Sequence, residues 1–410
     1  MKNPKLRFVQ EDGSAFPDWV LCRFRDVFSE RNETGKADYE LLSVTASEGV
    51  IKQDNSSKRD TSSEDKSKYK VVQIGDVAYN TMRMWQGTCG VSKFIGIVSP
   101  AYTVVVPRQG VSKFFAYYFK TASMKREFLK FSQGLTSDTL NLKYNNFSEI
   151  EAFLPRDDEQ VKLVEFFTVL DEKIALAERK LTVLQTLKTG LMQKIFSREM
   201  RFKQQDGTNF GEWKKFNFFE VVDSLNDCRG RPISKYGREW LTEETEYLAL
   251  SALNVKEYGI DYSVEPHYGD KKLYEKWMAG RELHQGQVLL TTEAPAGVVM
   301  QIPDNKKYIL NQRVVALNAN LEVVTEDFLA FLMRSPEVQR DIRKLSSGGT
   351  AIGISQKSLR GLFVQLPISK EEQNRIAAVL SAVDDKICLA TKKVDLLKQQ
   401  KQAFLQQMFV

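Results

Sequence analysis

Two stretches of the chain carry the same hydrophobic pattern. Apolar side chains fall at Leu163, Phe167, Leu170, Ile174, Ala177, Leu181, Leu184, Leu191 and Ile195, and again at Ile376, Leu380, Val383, Ile387, Ala390, Val394, Leu397, Phe404 and Met408. Steps that alternate between four and three residues are the seam of a coiled-coil helix. The one seam position that is polar in the first stretch, Lys188, is polar again in the second, at Lys401. Each stretch follows a proline and opens on acidic residues (Asp157, Asp158 and Glu159; Glu371 and Glu372), which suit the positive end of a helix dipole. A helix of about 38 residues runs about 57 Å, longer than a domain of about 150 residues is wide. Much of each seam therefore needs a partner outside its own domain. The other copy is the expected partner, and a pseudo-two-fold relation within one chain makes the pair antiparallel.

The helices are the second half of a longer repeat. Leu6-Arg7-Phe8 returns as Met200-Arg201-Phe202, and Gln10, Asp12, Gly13, Phe16, Trp19, Phe24 and Val27 return as Gln204, Asp206, Gly207, Phe210, Trp213, Phe218 and Val221. The middles diverge, although Gly75-Asp76-Val77 aligns with Gly286-Gln287-Val288. Leu154-Pro155 and Glu159-Gln160 then pair with Leu366-Pro367 and Glu372-Gln373, and the tails stay in register to the end. Short strand-like runs at 102–106 and 314–317 mix with one expected helix in each half, at 113–131 and 326–345, the latter interrupted at Pro336. The predicted fold is α+β: two domains at 1–155 and 199–367, related by internal duplication and joined by two long antiparallel coiled-coil helices at 156–198 and 368–410.

Composition narrows the function. The 410 residues suit two domains, and 42% hydrophobic with 27% charged residues describes an ordinary globular chain. Apolar runs such as 114–119 are far shorter than a membrane span of about 20 residues, and no signal peptide follows Met1, so a soluble cytoplasmic protein without membrane contact is expected. Cys22, Cys89, Cys228 and Cys388 are scattered and His267 and His284 lack ligand spacing, which predicts structural cysteines and no metal site. A net charge of +6 permits nucleic-acid binding without demanding it. The Ser- and Lys-rich stretch at 54–70 reads as an exposed loop, either a solvated linker or a contact to DNA backbone.

Catalytic signatures are missing. Residues 87–93 (GTCGVSK) contain glycine but lack the spacing of a phosphate-cradling loop. No Gly-x-Gly-x-x-Gly follows a strand, and there is no Pro-Pro pair of the kind adenine methyltransferases use around a flipped base. The acid pairs Asp171-Glu172 and Asp384-Asp385 flank the seams and read as solvated helix faces.

Together these features resemble one family, the specificity subunits of Type I restriction-modification systems. Residues 80–87 (NTMRMWQG), Gly90-Val91 and 98–102 (VSPAY) look like that family's recognition-domain strand and turn signature. Residues 134–142 (GLTSDTLNL) and 348–354 (GGTAIGI) look like the loop before its Leu-Pro, and the Glu-Gln helices are similar to its spacers. One departure is that Ser99-Pro100-Ala101-Tyr102 aligns with Asn311-Gln312-Arg313-Val314. The resemblance implies a DNA-recognition subunit without catalysis of its own, each domain reading one half of a bipartite asymmetric site in double-stranded DNA. The helices would dock two modification subunits carrying S-adenosylmethionine for adenine N6 methylation, and restriction subunits would add ATP and Mg. Candidate DNA contacts are Arg83, Trp85, Gln86, Lys93, Thr136, Ser137, Asp138 and Thr139 in the first half and Arg229, Arg231, Thr292, Glu293, Thr350 and Ser355 in the second; Arg and Gln suit bidentate bonds to guanine and adenine. Two alternatives stay open at this level: the specificity subunit of a Type IIB-like enzyme, and a coiled-coil scaffold that binds no nucleic acid.

Overall fold

The computed structural model describes residues 3–36, 38–56, 62–228, 233–346 and 353–410. They divide into two compact units, residues 1–178 with 393–410 and residues 179–392. Each holds one α+β domain together with part of both long helices.

In the first unit the central sheet is antiparallel. Its strands are β1 (Phe28–Glu30), β2 (Val77–Asn80), β3 (Cys89–Val91) and β4 (Tyr102–Pro107), in spatial order β1-β4-β2-β3. The second unit repeats that order with β5 (Val222–Asp227), β6 (Val288–Thr291), β7 (Val299–Gln301) and β8 (Val314–Ala319), arranged β5-β8-β6-β7. Equal topology under divergent sequence keeps the central strands buried on both faces: Val77 and Tyr79 enter one core cluster and Ala78 another, as Val288 and Leu290 enter one and Leu289 another. The first core is unusually aromatic. Phe24, Phe28, Phe114, Phe115, Phe119 and Phe147 are all fully buried, each contributing about 1.5–3 kcal/mol of burial. In the second core Val288, Leu290, Leu317, Phe328 and Leu329 fill that role.

Where one unbroken helix was expected in the first half there are two, and in the second half the expected interruption at Pro336 is present. Helices α1 (Ser112–Tyr118) and α2 (Ala122–Phe131) are separated by Thr121, whose hydroxyl caps α2 by accepting from the Met124 N–H. The break needs no proline, which is why the hydrophobic pattern alone did not reveal it. In the second half Ser335 does the same for Val338, and Pro336 follows at the first helical position, where its missing N–H costs nothing. There the helices are Glu326–Arg334 and Pro336–Leu345.

The long helices run over Asp157–Phe196 and Lys370–Gln407. Each is fixed to its domain by the same joint. The Glu159 carboxylate accepts from Arg7 Nε at 2.9 Å and from the Trp19 indole at 3.1 Å, while Gln160 bonds Pro155 O and the Val111 N–H, both at 2.9 Å. Glu372 accepts from Arg201 at 2.9 Å and Trp213 at 3.3 Å, and Gln373 bonds Pro367 O and the Thr325 N–H. Both glutamates are about 1% exposed, so the recurring Arg, Trp and Glu-Gln of the sequence are one buried hydrogen-bonded assembly written twice.

Within each unit the two helices pair antiparallel. In the first, Phe166 meets Phe404 with ring centroids 5.1 Å apart, Asp171 meets Lys401, and Glu178 meets Lys398 at 2.8 Å. In the second, Lys188 meets Asp384 at 2.7 Å. Rising numbers on one helix thus face falling numbers on the other. Leu163, Phe167, Leu170, Ile174, Ile376, Leu380, Val383, Ile387 and Val394 are buried, and Leu181, Leu184 and Leu397 are half-buried. One expectation is corrected here: Asp384 is not a solvated acid. Asp171 and Asp384 each pair with the seam lysine of the opposite helix, but Asp171 keeps a side chain 41% exposed while that of Asp384 is only 17% exposed, and their neighbours Glu172 and Asp385 are exposed as expected.

Candidate nucleic-acid interface

In the first domain, the turn after β2 and the loop at 133–141 form one exposed surface. Thr81 sits under it, 8% exposed, its hydroxyl donating to Ala101 O at 2.8 Å and its carbonyl accepting from the Leu142 N–H at 2.9 Å. That second bond ties the two loops together. A short 3-10 turn over Met84–Gln86 ends at Gly87 with φ +82°, a left-handed conformation that favours glycine. Arg83 projects from the start of this turn, with its guanidinium 3.9 Å from Asp138 across the gap. Both ends of that pair are exposed, so the bond adds little stability and leaves the guanidinium free to engage another acceptor. Trp85 is half-buried, neither core nor fully exposed, and its indole donates to Met82 O at 3.1 Å; Gln86 is exposed.

The Thr139 hydroxyl accepts from the Leu135 and Thr136 N–H groups at 3.1 and 3.0 Å, so Thr136 and Thr139 shape the loop while Ser137 and Asp138 stand at its exposed tip. Lys93 is elsewhere. It lies beyond β3, on the rim of a cavity shared with Lys113 and Lys120.

The second domain keeps the backbone of this arrangement and changes the side chains. Thr292 takes the place of Thr81: its N–H donates to Arg313 O at 2.8 Å and its carbonyl accepts from the Ile354 N–H at 2.9 Å. The expectation of an exposed, donor-bearing Thr292 fails, because the residue is fully buried and its hydroxyl has no partner among the described residues. Glu293 pairs instead with Arg313 at 3.4 Å, and Arg313 is largely exposed with φ +66°. Arg313 was not among the expected contacts. Its signal was present in the Asn311-Gln312-Arg313 triplet that replaces Ser99-Pro100-Ala101, three polar groups where the first half has a proline and an alanine. These three residues, with Trp240 and Trp277, line an open cavity of about 440 Å³. Ser355 is exposed and caps the short helix Gln356–Leu359 by accepting from the Ser358 N–H at 3.0 Å. Arg229, Arg231 and Thr350 lie outside the described residues.

No group of three or more His, Cys, Asp or Glu that could hold a metal occurs among the described residues, and no helix among them is long and apolar enough to cross a membrane. Cys22, Cys89 and Cys388 are free thiols, and burial pushes the Cys89 thiol up to about 12, so it stays protonated near neutral pH.

The class this defines is a duplicated α+β protein in which each unit joins one domain to a pair of antiparallel helices. Residues 18–186 and 211–399 each match the Type I restriction modification DNA specificity domain. The chain belongs to that family, the specificity subunits of Type I restriction-modification systems. It is 23% identical over 336 residues to the Type I restriction enzyme MjaVIII specificity subunit of Methanocaldococcus jannaschii, covering 78% of this chain and 76% of that one. The fold is similar to that of the Type I restriction-modification S subunit from M. genitalium, with a TM-score of 0.62 and 14% identity over 100% of this chain and 99% of the other. A second solved structure, from work on complex assembly and conformational transition of the Type I system, matches at a TM-score of 0.56 and 16% identity, covering 95% of this chain and 97% of the other.

Proposed function

We propose that each recognition domain reads one half of a bipartite, asymmetric site in double-stranded DNA. The observation that carries this is the contrast within the duplication: identical sheet order and identical helix joints hold two surfaces whose side chains differ, Arg83 and Asp138 on one and Glu293 and Arg313 on the other. Equivalent frames with unlike donors and acceptors are suited to unlike base sequences. Arg83, Trp85, Gln86, Ser137 and Asp138 serve the first half-site, with Thr136 and Thr139 shaping the loop beneath it. Glu293, Ser355 and Arg313 serve the second, together with Arg229, Arg231 and Thr350. The similar helices dock two modification subunits in equivalent positions. The chain is a non-catalytic subunit of the assembly: S-adenosylmethionine is bound by the modification subunits, which methylate adenine N6, and ATP and Mg by the restriction subunits. A net charge of only +6 is consistent with partners that supply part of the phosphate grip.

The test is an exchange. Replacing residues 1–155 with the first recognition domain of another family member, and mapping methylation by the assembled complex, should change one half-site and leave the other intact. A change in both half-sites refutes modular readout.

A further inference from the structure

The two halves differ in one buried charge cluster. In the second, Lys188 lies between two carboxylates, Asp384 and Glu257, each at 2.7 Å, and beneath the Tyr258 ring at 4.5 Å. Arg334 joins them, bonded to Asp384 at 3.3 Å and to Glu257 O at 3.1 Å. Two cations thus meet two carboxylates, and the second carboxylate comes from a hairpin tip, Glu257-Tyr258, between Val255–Lys256 and Gly259–Ile260. Burial opposes the charge on Lys188, yet the hydrogen bonds to Asp384 and Glu257 outweigh it and hold its pKa above the ordinary lysine value.

The first half has three of the four groups. Asp171 and Lys401 stand for Asp384 and Lys188 in the repeat. Lys120, the residue before the Thr121 cap, stands for Arg334, the residue before the Ser335 cap. The fourth is missing because the hairpin is shorter: two residues separate Ala46 from Gly49, where six separate Ala252 from Gly259. Its tip, Ser47-Glu48, reaches only the wall of an open cavity of about 610 Å³, and Glu48 makes no ion pair among the described residues. Lys93, Lys113, Lys120 and Lys401 line that cavity, against only Asp171 and Glu48. Lys120 has no carboxylate within ion-pair distance among the described residues, and burial with the nearby Lys401 charge lowers its pKa, although Cys89 and Asp171 oppose this.

We propose that this cavity receives an acidic side chain from a partner polypeptide. The carboxylate enters between Lys120 and Lys401 and completes the cluster that Glu257 completes in the second half, where Tyr258 covers Lys188 as Tyr117 covers Lys401 at 5.4 Å in the first. The chain's own second half supplies the template for the ligand: a glutamate at a hairpin tip. The proposal rests on the reading of the chain as one subunit of an assembly, but its test uses neither DNA recognition nor methylation, so the two fail separately.

The probe is a capped peptide with the sequence of residues 255–260 (VKEYGI), titrated into the full chain with its lysine amines carrying NMR-visible methyl labels. Saturable shifts at Lys120 and Lys401 are expected. The same peptide with glutamine in place of its glutamate should bind about tenfold or more weakly, the loss of one charge-assisted bond. Lys120→Met should abolish the shifts. Should that variant fail to fold, Lys113→Glu at the exposed rim provides the second variant and should weaken binding severalfold. Equal binding of the two peptides, no saturable shift at millimolar peptide, or insensitivity to Lys113→Glu would overturn the proposal. So would a short duplex DNA displacing the peptide from the same lysines, which would make the cavity part of a phosphate-binding surface.

Discussion

Arg7, Trp19 and Glu159 meet through the same bonds in the first half as Arg201, Trp213 and Glu372 in the second. Thr81 and Thr292 also occupy equivalent backbone positions, yet their hydroxyls are treated differently: one is bonded, the other is buried without a partner among the described residues. Duplication therefore preserved the joint between domain and helix residue for residue and released the loops above the sheet. A buried carboxylate explains the difference. Removing any one member of the joint strands a charge away from water, so drift there is punished, while an exposed loop side chain changes at little cost to stability.

The largest effect that follows is at the joints. Glu159→Ala and Glu372→Ala should each destabilise their own unit by about 3–5 kcal/mol, because a partly buried guanidinium and an indole N–H lose their acceptor. Hydrogen exchange read separately over residues 1–178 and 179–392 measures both. If one copy tolerates the change within about 0.5 kcal/mol, a surface-like value, the two joints are not energetically alike.

The two helix lysines should separate next. Lys188 is 6% exposed at the side chain and serves two carboxylates, whereas Lys401 is 26% exposed and serves one. Lys188→Met should cost about 3 kcal/mol and Lys401→Met about 1 kcal/mol or less. Since the Lys188 pKa is raised on folding, its contribution is complete below the ordinary lysine value and is lost as pH rises through the raised one. Unfolding curves of wild type and Lys188→Met should accordingly converge only in strong alkali. Convergence near neutral pH would mean that the ion pair is not what holds this position.

At the recognition surfaces the comparison is one of specificity. Arg83→Ala and Arg313→Ala should each weaken specific binding by the assembled complex by about 1–3 kcal/mol if the guanidinium reads a base, and each should relax one half-site only. Fluorescence anisotropy at matched salt distinguishes the roles, since an equal loss on random duplex reassigns the residue to phosphate contact.

How much of this was legible in the sequence depended on whether the controlling partner was near in the chain. The seams were legible because Leu163 to Ile195 repeat with a period that needs no partner to be seen. The paired identity of Arg7, Trp19 and Glu159 with their copies marked these residues as special, although their meeting across some 150 positions was not visible. Lys188 and Lys401 stood out as interruptions of the seams, but Asp384 and Asp171 looked like solvated acids because nothing local shows which residue of an antiparallel partner lies opposite. The surfaces were the least legible. Thr292 carries a polar side chain beside turn residues, yet the chain passing over it from 353 onward buries it, and Arg313 escaped because the middles of the repeats do not hold a constant offset.

The smallest effect expected is a difference of sign at one equivalent position. Valine has nearly the shape of threonine, so Thr81→Val and Thr292→Val each remove a hydroxyl while keeping the volume. In the first half that hydroxyl donates to Ala101 O at 2.8 Å, and its loss should cost about 1 kcal/mol, the net worth of a typical intramolecular bond. In the second half the hydroxyl is buried and unbonded among the described residues, so it contributes a desolvation penalty without a compensating bond. Its replacement by a methyl group should stabilise the unit by up to about 1 kcal/mol. Both backbones keep their bonds in the variants, Leu142 to Thr81 O and Ile354 to Thr292 O, so the loops stay tied to the sheet and the readout isolates the side chain. Urea titration of the two variants, followed by hydrogen exchange within the corresponding unit, gives the two signs directly. A destabilised Thr292→Val would show that its hydroxyl is bonded in solution, and the surfaces would then be more alike beneath their loops than the static arrangement indicates.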